Sequence, residues 1–116
     1  MNYTPSAVLG EVIIDQMIKS GVRDVVISPG SRNAPLTMSL WRAAEKKRIS
    51  LHTRIDERSA AFLALGIAKA TKVPTVVICT SGSAAANFYP ALLEAHHSDM
   101  PLIAVTADRP KRLWKT

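Results

Sequence analysis

The stretch Thr75-Val76-Val77-Ile78-Cys79-Thr80-Ser81-Gly82-Ser83 is an apolar run that stops abruptly at small polar residues. A strand with one solvated face alternates apolar and polar side chains. This run does not alternate, so it reads as a strand covered on both faces. Ser81-Gly82-Ser83 then turns the chain into a helix, Ala84 to about His97, which Pro90 should kink or split.

The same grammar extends in both directions. Upstream, Glu57 to Thr71 is an Ala- and Leu-rich helix that Asp56 can cap and Pro74 ends. A short strand at Ile49 to Thr53 precedes it. Further back, Val8, Leu9, Val12, Ile13 and Met17 mark an amphipathic helix over Ser6 to Ser20, with Gly21 as its stop. Val22 to Ile27 is a buried strand, and Ser28-Pro29-Gly30-Ser31-Arg32-Asn33 is a loop by composition. Asn33 can cap a helix from about Pro35 to Lys47. Downstream, Pro101 to Thr106 is the last strand, and the tail from Asp108 is irregular and exposed. Helix and strand alternate throughout. The expected fold is therefore α/β, an open parallel sheet covered by helices, with right-handed crossovers.

Composition narrows the possibilities. The chain has 116 residues, a formal net charge of +6, 47% hydrophobic residues and 21% charged ones. Disorder needs low hydrophobicity with high net charge and is excluded. The length fits one domain over residues 1–116, yet is too short to enclose a large cofactor and two substrates in one fold. The single cysteine, Cys79, excludes an internal disulfide and reads as a small core residue. There is no zinc-type spacing, no apolar stretch approaching the ~20 residues of a membrane span, and no secretory signal pattern. A reducing, cytoplasmic setting is expected. Nucleic-acid binding is disfavoured: the basic residues are scattered apart from Lys46-Lys47-Arg48 and the tail Arg109 to Lys115, and aromatics make up only 5%. The Lys46 run reads as a solvated helix C-terminus.

Ligands of open α/β sheets bind beyond the carboxyl ends of the strands. Ser28–Asn33, Arg54–Arg58, Thr80–Ser83 and Ala107–Arg109 occupy those ends. They gather Arg32, Arg54, Arg58, Arg109, Asp56, Glu57 and Asp108 at one edge. The loop Ser28-Pro29-Gly30-Ser31-Arg32 is either an anion cradle or a plain turn with Arg32 in solvent. Glu57 is either a first-turn acid favoured by the helix dipole or a carboxyl whose apolar surroundings keep a proton available. No GxGxxG or GxxxxGK[ST] element occurs. Ser81-Gly82-Ser83 lacks the GxSxG elbow, and His96 and His97 sit at the far end of the next helix. His52 ends a strand near the candidate edge, and its role is open.

These motifs form an ordered set: Ile27-Ser28-Pro29-Gly30-Ser31-Arg32-Asn33-Ala34-Pro35-Leu36, then Ile55-Asp56-Glu57-Arg58-Ser59-Ala60-Ala61, then Thr80-Ser81-Gly82-Ser83-Ala84-Ala85-Ala86-Asn87-Phe88-Tyr89-Pro90, then Thr106-Ala107-Asp108-Arg109-Pro110. The set resembles the N-terminal, pyrimidine-binding domain of the thiamine-diphosphate enzyme family, in its menaquinone-biosynthesis branch. The Ser-Pro-Gly-Ser-Arg and Thr-Ala-Asp-Arg-Pro pair separates it from the acetolactate synthase and pyruvate oxidase relatives.

The resemblance implies a cofactor, thiamine diphosphate, whose aminopyrimidine ring is hydrogen-bonded by Glu57, which shares a proton with it and so activates the thiazolium. It implies that Thr80, Ser81 and Gly82 form a turn beside the cofactor and supply shape rather than catalysis. Ser31, Arg32 and Arg109 match residues that hold substrate carboxylates. The implied substrates are 2-oxoglutarate, which is decarboxylated, and isochorismate, which accepts the resulting unit. The family's Mg²⁺ motif belongs to a C-terminal diphosphate-binding domain, so no metal ligand is expected in this chain. A middle domain, that C-terminal domain and a second subunit complete the family's sites. This chain is therefore expected to be a truncated or excised piece, inactive in isolation. The competing expectation is a stand-alone α/β binding or assembly module that uses its arginine-lined edge for an acidic ligand or partner. Glu57 separates the two, because only the first gives it a role.

Overall fold

The computed structural model describes residues 3–114. Helix α1 spans Pro5–Lys19, strand β1 Asp24–Ile27, α2 Ala34–Glu45, β2 Ser50–Thr53, α3 Glu57–Thr71, β3 Thr75–Cys79, α4 Ser83–Ala86, α5 Tyr89–His97 and β4 Leu102–Thr106. Short 3-10 turns occupy Ser31–Asn33 and Lys111–Leu113, the second giving local order to the tail read as irregular. Lys115, the last basic residue of that tail, lies outside the described residues.

Local chemistry sets the boundaries. Thr4 Oγ1 accepts from the Ala7 amide at 3.2 Å, and Pro5 opens α1, where its missing amide proton costs nothing. Asp56 caps α3 by accepting from the Ser59 amide at 2.8 Å. That helix ends at Lys72, which adopts a left-handed conformation (φ 60°) before Pro74 is reached. Pro90 splits its segment: α4 stops at Ala86, and Pro90 sits in the first turn of α5, where a proline is tolerated. Phe88, between the two helices, is fully buried and anchors the break. Burial of such a ring contributes roughly 1.5–3 kcal/mol.

The four strands form one parallel sheet in the order β2-β1-β3-β4. The central pair is registered Val25 with Val76, Val26 with Val77 and Ile27 with Ile78. Alternation along these strands divides the core into two layers. Val25, Ile27, Val76 and Ile78 pack with Ile14, Leu40 and Ala43 of α1 and α2. Val26, Val77 and Cys79 pack with Ala60, Ala61 and Ala64 of α3 and with Phe88 and Ala91. Only the central strands are sealed on both faces. The edge strands β2 and β4 are half-covered, and Ile103 of β4 is 42% exposed. Gly10 lets α1 approach the start of α2, since a Cβ there would stand 2.9 Å from the Pro35 carbonyl oxygen.

Candidate active site

All strands run parallel, so all their carboxyl ends meet at one edge. Three backbone bonds stitch the loops that leave it. The Ser28 amide donates to Ile78 O at 2.9 Å, Arg54 to Ile27 O at 3.0 Å, and Ala107 to Cys79 O at 3.1 Å. The loops after β1, β2 and β4 are thus each fastened to a neighbouring strand at their first residue.

The loop after β1 is held from within. Asn33 is fully buried. Its side-chain oxygen accepts from the Gly30 amide at 2.7 Å, and its Nδ2 donates to Ser28 O at 3.0 Å. Asn33 stands where a cap of α2 was expected, but its side chain makes no capping bond to that helix. It closes the loop behind it instead. Gly30 is extended, and a Cβ on it would lie 2.6 Å from the Thr80 Cβ. The loop after β1 therefore rests directly on the first residue of the loop after β3. Ser31 and Arg32 stand exposed on this braced turn, and Arg32 has no ion-pair partner among the described residues.

The loop after β2 presents the N-terminus of α3. Hydrogen bonds from the Ser59 hydroxyl and amide, helped by the Arg58 charge, hold the Asp56 carboxyl below its usual range. Glu57 follows, half-exposed, at the first helical position. It precedes Ala60 and Ala61 by three and four residues, so it shares the sheet-facing stripe of the helix. Its charge reaches Cys79: burial first, and the Glu57 carboxylate second, push that thiol up to about 11. Arg54 folds back, donating from Nη1 to Thr53 O at 2.7 Å, and Arg58 is exposed.

The loops after β3 and β4 share a cavity of about 610 Å³ lined by Gly82, Asp108, Arg109, Leu113 and Trp114. Gly82 has φ 86° and ψ −143°, a conformation glycine adopts freely, and a Cβ on it would meet only open space. Asp108 Oδ1 accepts from the Arg109 amide at 2.7 Å, and Trp114 Nε1 donates to Arg109 O at 2.7 Å. Sequence reasoning gave Trp114 no role. Its five-residue separation from Arg109 carries no motif, and only the 3-10 turn folds it back.

His52 is not part of this edge. Its Nε2 meets Asp24 Oδ1 at 3.0 Å, towards the opposite end of β1. His96 and His97 pack edge to face at the exposed end of α5. Among the described residues no group of three or more His, Cys, Asp or Glu could hold a metal ion, and no helix is long and apolar enough to cross a membrane.

Residues 8–116 match the family model described as thiamine pyrophosphate enzyme, N-terminal TPP binding domain. The chain belongs to this family. The open parallel sheet is the fold that the motif resemblance implied. Within the thiamine pyrophosphate enzymes, the chain is 59% identical over 109 residues to a protein of Saccharopolyspora erythraea named 2-succinyl-5-enolpyruvyl-6-hydroxy-3-cyclohexene-1-carboxylate synthase, covering 94% of the chain and 20% of that protein. Proteins of the same name from Kineococcus radiotolerans and Bacillus pumilus are 51% and 54% identical, covering 94% and 87% of the chain. The chain spans about a fifth of the length of these relatives (20%, 20% and 17%).

Proposed function

We propose that this chain is the pyrimidine-binding region of a thiamine-diphosphate-dependent transferase that decarboxylates 2-oxoglutarate and adds the resulting four-carbon unit to isochorismate. The observation that carries the reading is Glu57, half-exposed at the head of α3 and close enough to the end of β3 for its charge to act on Cys79. The names of its relatives support the same reading.

The residues present fit the organic part of the cofactor. A carboxylate at the strand ends is the partner an aminopyrimidine ring nitrogen requires. The turn after β3 presents Gly82 with open space where a Cβ would stand, as the close approach of a flat heterocycle needs. Thiamine diphosphate, when bound, supplies the nucleophilic carbon and the electron sink for decarboxylation. Glu57 would hold and share a proton at the ring nitrogen, a role typically contributing ~10²–10⁴-fold. Thr80, through its contact with Gly30, would keep the wall beside the ring in place, with Ser81 and Gly82 completing the turn. Ser31, Arg32 and Arg109 would bind carboxylates of the two substrates, Arg32 being free of competing ion pairs among the described residues. The Mg²⁺ and diphosphate ligands would come from outside this domain, as would a second subunit completing the site. The chain alone is then inactive, and a cytoplasmic location suits its free, buried thiol.

The test is carboligation of 2-oxoglutarate with isochorismate by the product of the full reading frame that encodes this chain. Glu57→Gln is expected to lower turnover by about 10²-fold or more while the protein stays folded. Near-normal turnover of the variant would overturn the role of Glu57, and no turnover in the unaltered protein would favour a binding module instead.

A further inference from the structure

Among the described residues, one buried side-chain polar atom has no hydrogen-bond partner. The Ser28 hydroxyl, on a residue only 2% exposed, makes no hydrogen bond, although the Ser28 backbone is bonded on both sides. A buried hydroxyl is costly unless it is paired.

Its surroundings limit what could pair with it. Ser28 follows Val26 by two residues, and Val26 packs in the layer beneath α3, so alternation turns Ser28 to that same face. The Ser28 amide bonds to Ile78 O, which sets Ser28 beside Cys79, another member of that layer. The stripe that α3 lays over this face is Ala60, Ala61 and Ala64, none of which offers a side-chain acceptor. The Thr80 side chain lies against Gly30 and makes no bond to the Ser28 hydroxyl. One turn towards the strand ends, the next residue of the stripe is Glu57, which has no hydrogen-bond or ion-pair partner among the described residues. The influence of Glu57 on the Cys79 thiol, adjacent to Ser28, places its carboxylate in electrostatic reach of this spot.

We propose that Ser28 is a positioning residue for Glu57, its hydroxyl donating a hydrogen bond to the Glu57 carboxylate. Glu57 is thereby drawn from its half-exposed position over the ends of β1 and β3, and its second oxygen stays available to a ligand. The functional weight of this device rests on the reading of Glu57 as the acid of the site. Its existence does not, and the two are tested separately.

The experiment uses the 116-residue chain and a double-mutant cycle of Ser28→Ala with Glu57→Ala, read by thermal unfolding. Ser28→Ala is expected to lower Tm by about 4 °C when Glu57 is present, and to leave it unchanged or raise it when Glu57 is replaced. The side-chain carboxyl ¹³C resonance of Glu57 is expected to move in Ser28→Ala. A rise in Tm that is equal in both backgrounds, or an unmoved Glu57 resonance, overturns the proposal. Neither readout involves turnover, so failure here leaves the assignment of Glu57 to be judged by the carboligation assay, and the reverse.

Discussion

Gly30 and Thr80 touch with no clearance: a Cβ on Gly30 would stand 2.6 Å from Thr80 Cβ, 2.8 Å from its Oγ1 and 2.9 Å from its Cγ2. Gly30 is extended (φ −159°), so its backbone would accept any residue, and only the contact demands glycine. Two loops that follow different strands therefore share one surface. Gly30→Ala is expected to destabilise by about 1–3 kcal/mol through overpacking. Thr80→Ala should rescue it poorly, because the closest contact is to the retained Cβ. In a Thr80→Gly background the same Gly30→Ala change should be almost neutral. Denaturant midpoints of the four variants check this.

Asn33 holds the same loop from behind. Replacing it by alanine leaves the Gly30 amide and the Ser28 carbonyl without their partners. A loss of about 2–4 kcal/mol is expected from the two bonds and the stranded groups. Asn33→Asp keeps the acceptor for Gly30 but sets a carboxylate against the Ser28 oxygen. Its stability should recover in acid, where the protonated carboxyl donates to that oxygen, and urea titrations at two pH values would show it.

Acid should unfold the domain partly through two carboxylates. Hydrogen bonds from Lys19 and Arg48 hold Asp15 below its ordinary value of 3.8, and those from Ser59 hold Asp56 below the same value. In each case the unfolded chain binds the proton more readily. Stability from these groups is therefore complete above about pH 4 and drains as pH falls through and below that point. The Asp15→Asn, Asp56→Asn double variant should be less stable at neutral pH and show a shallower decline in midpoint below pH 4. An equally steep decline would show that other carboxylates dominate.

Cys79 is fully buried, with its thiol pushed up to about 11. At pH 8 only about a thousandth would be thiolate, against roughly a quarter for an ordinary cysteine. Alkylation should be at least about 10²-fold slower in the folded chain than in denaturant. Glu57→Gln, by removing a nearby negative charge, should shift the alkaline onset of labelling to lower pH. An unmoved onset would show that the charge does not reach the thiol.

The sheet was legible because its central strands carry a signal that few alternatives mimic. Val25 to Ile27 and Val76 to Cys79 are apolar at every position, and the structure buries every one of them. Helix α3 was legible from Asp56 and its alanine stripe, and its bounds agree with the sequence reading. Asn33 was read too simply. An asparagine before a helix is a good cap, and the competing use, bonding backward to Ser28 and Gly30, becomes available only once the loop is folded. His52 looked close to the site because it ends a strand, yet Asp24 lies 28 residues away in sequence and holds it towards the other end of the sheet. Trp114 was silent for the same reason, since its bond to Arg109 O requires the tail to turn back.

By itself, the sequence determined the α/β class, the order of elements, the strand-end loops and the family to which its motifs belong. The class, the elements and the loops rest on periodicity, capping and turn chemistry, which act between residues near one another in the chain, and the family rests on the resemblance of its ordered motifs. Tertiary structure alone decided which strands neighbour which, that Thr80 buttresses Gly30, that Asn33 locks its loop, and that the Ser28 hydroxyl is buried beside Cys79 without a partner among the described residues. The physical reason is that a parallel sheet brings to one edge residues from distant parts of the chain. Their contacts depend on register and on the approach of packed layers, and neither is encoded in any local run of residues.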